Sequence, residues 1–298
     1  MTPRRFRVAT GVALGSLCVI ILTGSLVRLT GSGLGCVDWP RCNESKFVDV
    51  SSSHTAIEQL NRLFTGVVSA SVIVAVLMAH RLRPRRRDLV WLAWSLVIGV
   101  LAQVVIGGIV VLTGLSPFAT MAHFLVSMVL VSCAMALYRR SGSDEHSAWW
   151  RVVPREAAAP TKLLVLLMPT VIVTGTVVTA TGPNAGDETA VRFGFALTSV
   201  ARVHGATVVL TIACLVWAAW AAMRAGDARW RESLQTVLFV AVLQAAVGWT
   251  QYFTGVPAAL VAVHIAGATG LWLAWFAHLL EPATVEEAPM AEAAALHG

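Results

Sequence analysis

Four polar residues stand where chemistry could be done in an otherwise apolar chain: Asn61, His123, His204 and His264. An ionisable side chain inside a long apolar run is costly, so its presence points to function. The sequence also writes one such setting twice. QVVIGGIVVLTGLSPFATMAH runs from Gln103 to His123, and QAAVGWTQYFTGVPAALVAVH from Gln244 to His264. The Gln, Gly107/Gly248, Thr113-Gly114/Thr254-Gly255 and the final His recur at an offset of 141, while Pro117 and Pro257 miss it by one. Each copy reads as an apolar helix, a Gly/Pro turn, and a His about two turns into the next helix. Thr23-Gly24 and Thr174-Gly175 recur at an offset of 151, and Asn61 and His204 at 143. The repeat therefore covers both halves of the chain.

Two histidines on facing helices are a way to supply both axial ligands of a haem iron. His204 and His264 fit that role in the second half. Small residues beside them (Gly205, Ala206, Ala262, Ala266, Gly267) leave room for a flat macrocycle. The first half offers His123 opposite Asn61. Arg62 and Arg202, near the outer boundary, could pair with haem propionates. Glu58 lies one helical turn outward of Asn61 on the same face. It is read either as a proton-handling acid or as a carboxylate stabilised by a helix N-terminus. Plainer readings stand beside these. A lone intramembrane His is often a hydrogen bond between helices, and Arg62 and Arg202 could snorkel to the interface. Zinc or copper would find a His pair without carboxylate or thiolate a poor site. His54, His80, His146, His278 and His297 are expected to be solvated.

The elements that must position these groups follow from composition. Of 298 residues, 57% are hydrophobic and 13% charged, about half the charge of a soluble domain. Eight apolar runs are each long enough to span a bilayer: about 8–29, 57–80, 89–113, 118–138, 162–181, 196–223, 233–254 and 258–280. The first is read as a retained span rather than a cleaved signal. The net charge of +6 comes mainly from arginines at alternate ends of the spans, which places both termini in the cytoplasm and excludes nucleic-acid binding. The expected fold is an all-α integral membrane protein of two pseudo-symmetric four-helix bundles. Residues 1–140 form the first, 141–161 a cytoplasmic linker, 162–281 the second, and 282–298 a cytoplasmic tail of disordered composition. The outer loop at about 30–56 could cover the first bundle as a lid. It carries Cys36 and Cys42, facing an oxidising compartment, where a disulfide is expected and a reactive or metal-binding pair is the alternative.

VRLTGSGLGCVDWPRC at 27–42, Glu58-x-x-Asn61-Arg62, and single histidines heading three later helices resemble the haem A synthase family over nearly the whole chain. The resemblance implies oxidation of the C8 methyl of haem O to a formyl group, with oxygen from water, for cytochrome oxidase. It implies that His204 and His264 ligate a resident haem b, that His123 ligates the substrate haem, and that Glu58 is the required acid. It also implies a disulfide between Cys36 and Cys42. Asn61 departs from the family, many of whose members have a His there. A haem O-making farnesyltransferase, a quinone electron acceptor and a homo-oligomeric partner are candidate partners, in the cell membrane with the active sites towards the outer face. The alternative is a di-haem b-type, quinol-linked electron-transfer cytochrome that transforms no haem; a repeat-built transporter is a third.

Overall fold

The computed structural model describes residues 2–143, 148–150 and 152–280. His146, Arg151, His297 and the tail 282–298 lie outside them. Eight helices account for nearly all of it: α1 (Pro3–Leu29), α2 (Ser53–His80), α3 (Arg87–Leu112), α4 (Pro117–Arg140), α5 (Arg155–Thr181), α6 (Leu197–Ala225), α7 (Ala228–Phe253) and α8 (Ala258–Leu279). At 1.5 Å per residue they measure about 33–44 Å, enough to cross a ~30 Å hydrocarbon core. Their outward surfaces carry large apolar side chains such as Phe253, Trp91 and Phe118. In water such a surface would drive aggregation; in a bilayer it is the expected coat. The protein is a multi-pass membrane protein.

Several helices are longer than the apolar periodicity alone predicts, chiefly α1, α5 and α7 at their N-terminal ends. α5 begins at Arg155 rather than near 162, because Ala157–Ala159 favour helix; Pro160 and Pro169 lie inside it, each removing one helical N–H donor. The two repeated turns take the same conformation. Gly114 and Leu115 both have positive φ, as do Gly255 and Val256. Leu115 N–H donates to Val110 O at 2.8 Å and Val256 N–H to Gln251 O at 2.7 Å. A bulky residue at positive φ is uncommon; here the returning hydrogen bond and the proline that follows hold it.

One apolar core fills α1–α4 around Phe6, Leu89, Leu96 and Leu137, and a second fills α5–α8 around Leu164, Leu215, Trp230 and Leu234. Helices α1 and α4 of the first set meet α8 of the second, and α4 also meets α5. The Trp272 indole of α8 donates to Ser132 Oγ on α4 at 2.8 Å. Where no water competes, such a bond replaces an otherwise unsatisfied donor. Trp272→Phe should therefore cost of order 1 kcal/mol and lower the thermal unfolding midpoint in detergent by about 2–4 °C, with helicity by circular dichroism unchanged.

Candidate functional site

Asn61, His123, His204 and His264 fall at equivalent places in the helices, each facing a glycine on the preceding helix. A Cβ on Gly107 of α3 would lie 3.4 Å from His123 Cε1, one on Gly175 of α5 would lie 3.1 Å from His204 Cε1, and one on Gly248 of α7 would lie 3.1 Å from His264 Cε1. Gly24 of α1 faces Asn61 in the same way, at 3.8 Å from its Nδ2. A side chain on Gly175 or Gly248 would press on the imidazole it faces, whereas at Gly107 and Gly24 an added Cβ would make ordinary contact. The Thr-Gly and Gly repeats are the trace this leaves in the sequence, but what the glycines face could not be read from it.

The hydrogen bonds around the layer differ between sites. Thr174 Oγ1 lies 3.0 Å from His204 Nδ1, and its own proton can go to Thr170 O at 2.9 Å or Val171 O at 3.1 Å. The hydroxyl is then an acceptor for Nδ1–H, which leaves the Nε2 lone pair for a metal. The matching threonine in the first half, Thr23, instead donates to Asn61 Oδ1 at 2.8 Å. His123 and His264 each keep a buried Nδ1 with no partner among the described residues, so neither ring is the plain hydrogen bond between helices. A buried nitrogen without a partner is costly; the other ring nitrogen, Nε2, is the atom that could ligate iron. His204 and His264 are close enough to act on one another electrostatically. Among the described residues no three His, Cys, Asp or Glu gather as a metal cluster, which suits an axial pair and not a zinc site. The carbonyl of His123 is gripped from α3 by Gln103 Nε2 at 3.0 Å, which also reaches Ser127 Oγ at 2.6 Å.

Glu58 is buried beneath the outer loop, with both carboxylate oxygens engaged. Cys36 N–H donates to Oε2 at 2.7 Å, and Arg62 donates to Oε1 from Nη2 at 2.6 Å and from Nε at 3.0 Å. Arg62 Nη1 continues to Asp38 O and Arg41 O, both at 3.1 Å. Cys36 and Cys42 are joined in a disulfide that closes this same loop. The loop reaches further: a Cβ on Gly108 would lie 2.8 Å from the Trp39 ring. Trp39 is therefore seated on α3 beside the glycine that faces His123, and the expected lid is in place. Arg62 has its guanidinium committed to Glu58 and the loop, whereas Arg202 is exposed on α6.

One expectation fails. His278 is not solvated but 4% exposed: its Nδ1 meets Ser233 Oγ at 2.7 Å and its ring stacks on Trp275. The apolar run alone hid this, because the aromatic neighbours come from other turns and helices. These rings line a cavity of about 410 Å³ between α5 and α8, reached also by Trp272 and Pro169. Trp272 is eight residues beyond His264 along α8, about 12 Å, so this cavity is separate from the histidine layer.

The sequence matches the family described as cytochrome oxidase assembly protein over residues 7–56 and 47–276. The chain belongs to that family. Relatives of this cytochrome oxidase assembly family member include bacterial proteins named "Heme A synthase". The one from Lysinibacillus sphaericus is 35% identical over 130 residues, 43% of this chain and 42% of the relative. That from Geobacillus thermodenitrificans is 32% identical over 148 residues, 48% and 46%. That from Listeria monocytogenes is 32% identical over 124 residues, 41% and 40%. The aligned stretch thus spans less than half the length of each of these curated relatives.

Arg62 holds the loop by charge-assisted bonds to the Asp38 and Arg41 carbonyls, both inside the ring closed by Cys36–Cys42. Arg62→Gln should loosen it and speed reduction of Cys36–Cys42 by a small dithiol about tenfold, measured as thiol labelling against time.

Proposed function

We propose that this chain is a haem A synthase, converting the C8 methyl of haem O to the formyl of haem A for cytochrome oxidase. The observation that carries the reading is Glu58, held by Arg62 and the disulfide loop one turn outward of the Asn61–His123 layer. An electron-transfer cytochrome explains the histidines but leaves this acid and its loop without work. The relatives named "Heme A synthase" support the same conclusion.

In this reading residues 1–140 form the substrate bundle and 162–281 a pseudo-symmetric partner, both termini are cytoplasmic, and the sites face the outer side of the cell membrane. His204 and His264 hold haem b, which supplies a one-electron relay when bound. His123 ligates the iron of haem O, with Asn61 facing it, and the farnesyl tail lies towards lipid. The reaction balances as CH3 + H2O giving CHO with four protons and four electrons released, in two rounds through the alcohol and the hydrated aldehyde. Two molecules of quinone would accept the electrons pairwise. Glu58 takes the protons as water attacks the oxidised carbon, and Arg62 orients its carboxylate. Trp39 and the disulfide loop limit access of bulk water to the site.

Glu58→Gln should leave haem b content unchanged and reduce conversion of haem O by at least a hundredfold, the scale of general-base catalysis. Extraction of the haems from protein co-expressed with a haem O-making farnesyltransferase, followed by chromatography and mass measurement, reads both. Loss of haem b as well would make Glu58 structural, and haem b alone in the wild-type protein would favour the cytochrome. Asn61→His should add a second ligand and slow exchange of the substrate haem, read as the rate of haem O uptake; an unchanged rate would remove any role for Asn61 in exchange.

A further inference from the structure

Each polar residue of the layer faces a glycine, and the residue just before that glycine differs between helices. On α1 and α5 it is a threonine, Thr23 or Thr174; on α3 and α7 it is Ile106 or Val247. Each threonine reaches the side chain that its glycine faces. Thr23 donates to Asn61 Oδ1 at 2.8 Å, and Thr174 Oγ1 lies 3.0 Å from His204 Nδ1. Ile106 and Val247 have no hydroxyl to offer. His123 and His264, which face their glycines, are the two rings whose buried Nδ1 has no partner among the described residues. One hydroxyl therefore separates the two histidines of the second half.

The direction of the Thr174 bond follows from what else each group can do. The hydroxyl proton can go to Thr170 O at 2.9 Å, Val171 O at 3.1 Å or Thr207 Oγ1 at 3.2 Å. Thr207 spends its own proton on the His204 carbonyl at 2.7 Å, so its oxygen is free to accept. For His204 Nδ1, Thr174 is the one hydrogen-bonding partner among the described residues. Nδ1–H donating to Thr174 thus satisfies every proton and leaves Nε2 bare. The plain account is that Thr174 bonds back to its own helix, as helical threonines do, and ties α5 to α6. That account covers Thr170 O but is indifferent to which ring nitrogen carries the proton. An imidazole that donates from one nitrogen is a more basic ligand at the other, and a more basic ligand favours ferric over ferrous iron.

We propose that the two axial ligands of the second-half haem are unequal. Thr174 makes His204 the stronger donor and so lowers the reduction potential of that haem, while Val247 leaves His264 the weaker one. Thr174 is a positioning residue that acts through His204. This rests on the proposed haem A synthase function and extends it to how the electron relay is tuned.

The test is a spectroelectrochemical titration of the purified full-length protein. Electron paramagnetic resonance of the oxidised form identifies the low-spin bis-imidazole haem, since within the layer only the second half offers two imidazoles. Thr174→Val should raise its potential by ~40 mV, about a fivefold shift of the ferric–ferrous equilibrium. Thr174→Ser, which keeps the hydroxyl, should stay near the wild-type value. Val247→Thr, which offers His264 the missing acceptor, should lower the potential by a similar amount. If Thr174→Val leaves the potential unchanged, or Thr174→Ser moves it as far, the proposal is overturned and Thr174 only ties α5 to α6. If Thr174→Val does not retain haem, Val247→Thr decides: a lowered potential supports the proposal and an unchanged one overturns it. A wild type without any bis-imidazole haem would instead overturn the haem b site of the proposed haem A synthase function.

Discussion

Everything in this protein depends on one constraint: in a bilayer a polar group must find its partner within the chain. Backbone groups meet it by forming eight helices. Side chains meet it by clustering at the outer helix ends, where the boundary with water lowers the cost of a charge. The layer of Asn61, His123, His204 and His264 follows that rule, and so does Glu58, whose two oxygens take three donors from Arg62 and Cys36. The exceptions carry the information. His123 and His264 are buried with an unpartnered ring nitrogen, and the glycines beside them leave the space that the rings occupy. A core selected for packing alone would place Ala or Leu there.

The two halves answer the same constraint differently. In the second, Thr174 is placed to accept from His204 and so prepares Nε2 as a ligand. In the first, Thr23 donates to Asn61 and ties it to α1. Under the proposed function His204 and His264 would form a fixed site, which suits a group that stays. A site with one imidazole facing an amide suits a group that arrives, reacts and leaves. The outer segments differ too: the disulfide-closed loop with Trp39 lies over the first half, while the segment after α5 bridges the two halves, with Ala185, Ala190 and Phe193 packed against Leu115 and Phe118 and Asn184 bonded to Val256 O.

Much of this was legible in the sequence because lipid makes sequence rules stringent. Eight apolar runs became eight helices within a few residues, and the repeat placed His123 and His264 at equivalent depth. The disulfide was legible from two cysteines in one short outer loop. What was not legible came from contacts between elements far apart in sequence. The partner of Glu58 on one side is a backbone N–H twenty-two residues earlier, and no side-chain pattern announces a backbone donor. Arg62 reads as a propionate anchor by its depth, yet i,i+4 spacing on α2 commits it to Glu58. His278 lies at the end of an apolar helix, where exposure is the default, and it is buried by Trp230 and Ser233 of α7 together with Trp275 of its own helix.

The arginines show the same limit in reverse. Arg62 reads by its depth as a propionate anchor and is spoken for by Glu58 and the loop; Arg28, which no pattern in the sequence singles out, reaches the Asn184 and Thr179 carbonyls across the joint. Depth alone cannot separate them, since both lie near the outer boundary. What separates them is which side of the joint each faces. Arg62 turns into its own bundle, towards a carboxylate four residues away. Arg28 turns across the joint, where the acceptors are carbonyls. Carbonyls satisfy donors but do not neutralise charge, so hydrogen-bond completeness and charge balance are separate requirements.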